Sequence, residues 1–200
     1  MSENIHPVFH KLVGRKEKEQ RLNQKSKVIW LTGLSGAGKS TIALGLEQLL
    51  FHEGFLAEVL DGDNIRHGIN KNLGFSLDDR LENIRRISEV AKLYLNSGLI
   101  TIAAFISPTR EIRKMARELI GQDDFIEIYL STPLEICEKR DVKGLYQKAR
   151  RGEIAGFTGI DSPYETPKAP NVIINTTDQE IQESVALVFN YIRPFITLTP

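Results

Sequence analysis

The chain contains a single cysteine, Cys137, in 200 residues. That excludes an internal disulfide framework and makes a reducing compartment, the cytoplasm, the expected location. The chain also lacks net charge: 26 lysines and arginines balance 26 aspartates and glutamates. A neutral chain has no global field to gather nucleic acid or an anionic membrane surface, so neither is expected as a partner. Any grip on an anion must come from local clusters. No apolar run approaches the ~20 residues of a membrane span. Residues 1–24 are polar, without the apolar centre of a secretion signal. Internal repeats and low-complexity tracts are also missing. What remains is ordinary for one globular domain with a sizeable core, at 41% apolar and 26% charged residues.

Glycine, by contrast, is plentiful and in one place patterned. Gly33-Leu34-Ser35-Gly36-Ala37-Gly38-Lys39-Ser40 fits G-x-x-x-x-G-K-[ST] at every fixed position. Lys27 to Thr32 before it is apolar and β-prone, and Thr41 to Leu50 after it has helical spacing, with Ile42, Leu46 and Leu49 on one face. Strand, glycine loop and helix start form the context a phosphate cradle requires. Glycines let the backbone aim N–H groups inward, and the helix N-terminus adds partial positive charge. Gly33, Ser35, Gly36, Ala37, Gly38, Lys39, Ser40 and Thr41 are the candidate ATP contacts. Lys39 is expected on the β- and γ-phosphates, and the Ser40 hydroxyl on Mg²⁺.

Further along, Leu56 to Leu60 reads as a second strand ending in Asp61-Gly62-Asp63. Ligands of open α/β sheets sit beyond the carboxyl ends of strands. Two carboxylates there, Asp61 and Asp63, can hold Mg²⁺ or accept a hydroxyl proton, although an Asp-Gly turn with solvated acids has the same spelling. Ser76-Leu77-Asp78-Asp79 is a capping box opening a long helix whose core face is Leu77, Leu81, Ile84, Ile87 and Ala91, stopped at Gly98. Arg80 and Asn83 share another face, and Arg80, Arg85 and Arg86 also fit an exposed basic face. Leu99 to Ile106 reads as a strand buried on both sides. Ser107 at its end is a candidate for chemistry or for a helix N-cap, and Pro108 a candidate helix start. Phe125 to Leu130 is a fourth strand, followed by Thr132-Pro133-Leu134-Glu135 as cap, first-turn proline and capping-box acid. Cys137 then reads as plain core.

Residues 141–167 change character, with glycines and cations among few aliphatics. Such material is poor for a core and suits a mobile lid over phosphates, or a long surface loop. Asn171 to Asn175 is a fifth strand. Ile181, Val185, Val188 and Ile192 line a last helix stopped near Pro194. Residues 1–26, rich in lysine, arginine and histidine, read as a solvated, partly helical lead-in. Strands alternating with helices give an α/β fold of three layers around a five-stranded parallel sheet.

Several stretches together resemble the adenylylsulfate kinase family over about residues 5–195. They are Asp61-Gly62-Asp63-Asn64-Ile65-Arg66, Leu73-Gly74-Phe75-Ser76, Arg80 to Arg86, Phe105-Ile106-Ser107-Pro108, Asp141 to Tyr146 and Gly156 to Asp161. The resemblance implies a P-loop kinase domain over 27–200, with a lid at about 141–167. It implies transfer of the ATP γ-phosphate to the 3′-hydroxyl of adenylyl sulfate, and a homodimer. It also implies substrate contacts from Asp63, Asn64, Ile65, Arg66, Arg80, Asn83, Ile106, Ser107, Lys143 and Gly156, with Phe75 and Phe157 sandwiching the adenine. Lys39, Asp61, Asp63 and Ser107 are the catalytic candidates. Ser107 is a phosphorylated intermediate in some descriptions of the family, whereas direct in-line transfer needs only Lys39, Mg²⁺ and a carboxylate. Two other readings stand beside it: a P-loop kinase for a nucleoside monophosphate or sugar acid, and a non-catalytic nucleotide-binding module.

Overall fold

In the computed structural model, which describes residues 6–198, apolar runs bounded by glycine and polar residues become five strands interleaved with helices. In chain order the elements are α1 (Arg15–Leu22), β1 (Val28–Gly33), α2 (Lys39–His52), β2 (Ala57–Asp61), α3 (Gly62–His67) and α4 (Leu77–Asn96). Next come β3 (Ile100–Ala104), α5 (Arg110–Ile120), β4 (Phe125–Leu130) and α6 (Leu134–Arg140). Last come α7 (Leu145–Arg150), β5 (Val172–Ile174) and α8 (Ile181–Ile196). The start of the expected lead-in, residues 1–5, and the domain's residues 199–200 lie outside the described residues.

All strand pairs are parallel, in the order β2-β3-β1-β4-β5. β1 is therefore central and wholly buried. Its side chains alternate between two cores, as a strand period of two demands. Ile29 and Leu31 join Ile42, Leu46, Leu50, Val185 and Val188 under α2 and α8. Val28 and Trp30 join Ile84, Ile87, Ala91, Ile112 and Ala116 under α4 and α5. Trp30 anchors the second core by stacking on Phe105 and Phe125, with ring centroids 5.7 and 5.4 Å away. This is the three-layer α/β architecture read from the sequence. Helices α2 and α8 approach closely: a Cβ on Gly45 would lie 2.8 Å from the Val185 side chain.

Several local expectations differ from what formed. Ser76 caps α4 as read, accepting from the Asp79 N–H at 3.1 Å, but Leu77 and Leu81 are exposed and the buried face runs Ile84, Ile87, Ala91, Leu95. In the first turns of α4 the apolar spacing therefore faces solvent rather than a partner layer. Thr109, not Ser107, caps α5. Thr132 does not cap α6, because its hydroxyl is turned to Thr176 and the Ala37 carbonyl. Pro194 does not stop α8, which runs on to Ile196.

The lead-in is partly helical and keeps an exposed outer face, with Lys16, Glu17, Gln20, Arg21 and Asn23 in solvent, but its inner face is not solvated. From Arg15 onward it is docked. Arg15 pairs with Asp124 at 2.6 Å and with Glu19 at 2.8 Å, and Ser26 is fully buried. The Gln24 side chain, also fully buried, accepts from the Leu56 N–H at 2.7 Å and donates to the Leu56 and Gly98 carbonyls at 2.9 and 2.8 Å. One amide thus ties the segment before β2 to the segment before β3. Gln24→Leu keeps the volume and leaves the Leu56 N–H and Gly98 carbonyl unpaired, at about 1–3 kcal/mol each. Urea unfolding should read a loss of about 2–4 kcal/mol.

Candidate active site

Residues 33–38 turn sharply from β1 into α2, with positive φ at Gly33 (152°), Gly36 (75°) and Gly38 (96°). A Cβ on Gly33 would lie 2.7 Å from the Leu130 carbonyl oxygen, so the loop is seated against β4 and only glycine fits there. Every carbonyl from 33 to 37 accepts a side-chain hydrogen bond. Lys39 Nζ donates to the Gly33 and Leu34 oxygens at 3.0 and 2.8 Å. The Tyr146 hydroxyl donates to Ser35 O at 2.9 Å, and Arg140 to Gly36 O at 3.3 Å. Thr176 and Thr132 donate to Ala37 O at 3.1 and 3.4 Å. With the carbonyls held outward, the N–H groups of the turn and the first turn of α2 are left to face an anion.

Burial lowers the Lys39 ammonium to about 8, against the opposing pull of Asp61 and Asp63. At the edge of this cradle, Ser40 Oγ donates to Asp61 Oδ2 at 2.6 Å. Asp61 Oδ1 accepts from the Asp63 N–H at 3.0 Å, which caps α3 and fixes the carboxylate. A hydroxyl and a carboxylate are the hard oxygen donors that suit Mg²⁺. Among the described residues no group of three or more acidic, histidine or cysteine side chains could hold a metal alone. Asp63 is exposed and ion-paired with Lys143, reaching across from the segment after α6.

The remaining candidates gather beyond β2 and β3. The Arg66 guanidinium lies 4.4 Å over the exposed Phe75 ring and donates to Gly74 O at 2.7 Å. Burial and the neighbouring Arg80 charge pull Arg66 down from its usual value, against the weaker upward pull of Asp79 and Asp63. Arg80 bridges to segment 141–167, donating to Thr158 Oγ1 at 2.6 Å and Gly156 O at 2.5 Å. Asn83 is buried and accepts from Asn70 at 3.0 Å. Asn64 is exposed and Ile65 half-buried, while Ile106 is held by Thr32 Oγ1 on its carbonyl at 2.8 Å.

Two candidates sit otherwise than expected. Phe157, read as unsuited to plain packing, is 9% exposed and meets Tyr146 edge-on at 5.0 Å within the α2/α8 core. Segment 141–167 is accordingly better core material than its composition promised, contributing Tyr146, Ala149 and Phe157 as well as the unforeseen α7. Ser107 is 2% exposed, has φ 39°, and lies beneath the cleft, where its Oγ accepts from Trp30 Nε1 at 3.0 Å and donates to Thr32 Oγ1 at 3.0 Å. Sequence reasoning gave no site role to Asn70, Arg140, Thr158 and Thr176, and read Thr132 only as a helix cap. Tyr146 stood inside a recognised motif without a role. Isolated threonines carry no local signal, because their partners are 44 to 139 residues away.

A glycine loop, a half-buried lysine, a hydroxyl–carboxylate pair and a pair of neighbouring arginines, all near the carboxyl edge of a parallel sheet, define a P-loop kinase of a small anionic acceptor. The family model for adenylylsulphate kinase matches residues 25–175, and the chain belongs to that family. It is 57% identical over 194 residues to the adenylyl-sulfate kinase of Phocaeicola vulgatus, covering 97% of this chain and 95% of that one. To the Bacteroides thetaiotaomicron adenylyl-sulfate kinase it is 58% identical over 193 residues, covering 96% of each. Among solved structures, the Mycobacterium tuberculosis APS kinase in complex with AMPPNP and APS superposes with a TM-score of 0.82 at 48% identity. That match covers 84% of this chain and 98% of the other.

Lys39 generates a pH prediction. Its value in the free protein lies below the 10.5 of an unperturbed lysine, so between about pH 8 and 10.5 the unfolded chain binds more protons. The free protein therefore gains stability as pH rises through that window. Bound phosphates favour the charged ammonium, so ATP binding at pH 8.5 should take up roughly 0.5–0.8 proton. Calorimetry in buffers of different ionisation enthalpy measures this, and Lys39→Met should abolish it.

Proposed function

We infer that the chain is an adenylyl-sulfate kinase. It transfers the ATP γ-phosphate to the ribose 3′-hydroxyl of adenylyl sulfate, giving 3′-phosphoadenylyl sulfate and ADP in sulfate activation. The observation that carries this reading is the pairing of the phosphate loop with a cleft bearing Arg66, Arg80 and the exposed Phe75 ring. A dianionic nucleotide acceptor on a neutral protein needs such placed cations. A sugar kinase from Janibacter, at 17% identity and a TM-score of 0.58, shares only the fold.

The chemistry asks for positioning and charge neutralisation. Loop N–H groups and Lys39 hold the β- and γ-phosphates. Ser40 and Asp61 would hold Mg²⁺, which neutralises phosphate charge when bound, with phosphate oxygens and water completing its shell. Asp63 accepts the 3′-hydroxyl proton once Lys143 exchanges its carboxylate for substrate. Direct in-line transfer fits the burial of Ser107 better than a phosphoserine does. Asn64, Ile65, Ile106 and Gly156 would shape the acceptor pocket, with Asn83 directed by Asn70. The Gly144, Gly152 and Gly156 positions, each at positive φ with open space around, support opening and closing of 141–167. A homodimer and a cytoplasmic location belong to the same reading. Exposed apolar side chains such as Phe51 on α2 support the first, and the free thiol of Cys137 the second.

A coupled assay of ADP release with ATP and adenylyl sulfate tests the reaction, with nucleoside monophosphates and gluconate as competing acceptors. Lys39→Ala should retain the fold and lower turnover by about 10²-fold, the effect of one lost electrostatic donor. Ser107→Ala should fall only modestly. A dead but folded Ser107→Ala would instead favour the phosphoserine route.

The aromatic pair separates by readout. Phe75 is 64% exposed, so Phe75→Ala should weaken adenylyl sulfate use about 5- to 150-fold, the worth of one base stack, with an unchanged melting temperature. Phe157 is packed, so Phe157→Ala should also cost about 3 kcal/mol of stability.

A further inference from the structure

Tyr146 stands where the two halves of the site meet. It lies in the first turn of the short α7 in segment 141–167, yet it is only 1% exposed and its hydroxyl reaches back to the Ser35 carbonyl of the phosphate loop at 2.9 Å. Burial pushes the phenol above its ordinary value, so it stays protonated and can only donate to that carbonyl. The other face of the contact is Phe157, edge-on at 5.0 Å. The peptide units flanking Phe157 are gripped from the acceptor side, where Arg80 binds Gly156 O and Thr158 Oγ1. The chain of contacts runs Arg80, Gly156–Thr158, Phe157, Tyr146, Ser35.

Of the five loop carbonyls, only that of Ser35 depends on this segment. Those of Gly33 and Leu34 are held by the loop's own lysine, that of Gly36 by Arg140 on α6, and that of Ala37 by Thr132 and Thr176 beside the sheet. The Ser35 carbonyl belongs to the same peptide plane as the Gly36 N–H. Turning one outward turns the other toward the bound phosphates.

We propose that Tyr146 is a positioning residue for the phosphate loop: its hydroxyl orients the Ser35–Gly36 peptide, making the ATP cradle complete only when segment 141–167 is packed down. The phenol touches neither ATP nor acceptor and acts through the peptide it holds. This rests on the assignment of residues 33–40 to the nucleotide phosphates.

Tyr146→Phe keeps the ring and its contact with Phe157 and removes only the hydroxyl. Binding of a non-hydrolysable ATP analogue without acceptor, followed by calorimetry, should weaken about 5- to 10-fold, the effect of one lost neutral hydrogen bond. The KM for ATP should rise in step while that for adenylyl sulfate moves less than about 2-fold, and the Gly36 amide resonance should shift. Equal analogue affinity in both proteins overturns the inference, as does a parallel rise of both KM values, which marks general loosening of the segment. Lys39→Ala is the control for the underlying assignment. If Lys39→Ala leaves analogue affinity intact, the nucleotide reading itself fails. If Lys39→Ala weakens it and Tyr146→Phe does not, only the role of Tyr146 fails. Should Tyr146→Phe not fold, replacing tyrosine throughout with 3-fluorotyrosine makes the phenol a stronger donor without removing it. An unmoved Gly36 amide in that protein also overturns the inference.

Discussion

A backbone can bind an anion only if its carbonyls point elsewhere, and the rest of this molecule is arranged around that constraint. Five consecutive carbonyls, from Gly33 to Ala37, are drawn outward by Lys39, Tyr146, Arg140, Thr132 and Thr176. These donors come from α2, α7, α6 and the ends of β4 and β5. The loop is thus not a local motif that happens to sit on a sheet. Its shape is a property of the assembled layers, with glycine needed at Gly33, where an added Cβ would lie 2.7 Å from the Leu130 carbonyl oxygen of β4. Neutral net charge fits the same logic, because the positive field an anion feels is made of oriented N–H groups and a few placed side chains.

The cation inventory divides by the same rule. Arg113 and Arg117 are consumed by Glu127, and Arg85 and Arg86 by Glu82, so they organise structure or surface. Arg66 and Arg80 find only backbone and hydroxyl oxygens, besides one aromatic ring. Arginines satisfied by neutral acceptors keep their full charge for a ligand. Lys143 is held by the same carboxylate that the proposed chemistry requires free. The free protein therefore pre-pairs opposite charges that the proposed chemistry must separate.

Much of this was legible in the sequence, for reasons that differ by element. The five strands and the phosphate loop were read to within a residue or two, because buried parallel strands and glycine loops are written locally. Helix α4 was read with the correct cap but too long an apolar face, since Leu77 and Leu81 face solvent. The N-terminal segment was misjudged from its charge: Arg15, Glu19, Gln24 and Ser26 form a polar network against residues up to 109 positions away. Thr132 was taken for a cap because its neighbours Pro133 and Glu135 spell one, while tertiary partners took its hydroxyl. Phe157 was placed at the acceptor by family likeness, and its burial against Tyr146 depends on α7, which glycine-rich flanks concealed.

The contact between Gly45 and Val185 bears on the order in which the molecule becomes competent. Helix α2, which carries Lys39 and Ser40 at its first turn, rests against α8 so closely that no Cβ fits between them. A chain synthesised from its N-terminus has β1, the loop and α2 in hand long before α8 exists. Until then Ile42, Leu46 and Leu50 have the sheet residues Ile29, Leu31, Ile100 and Ile102 on one side but lack the cover of Val185 and Val188. The element that reads as the phosphate-binding signature early in the chain is thus finished last, by a helix that carries none of the candidate site residues.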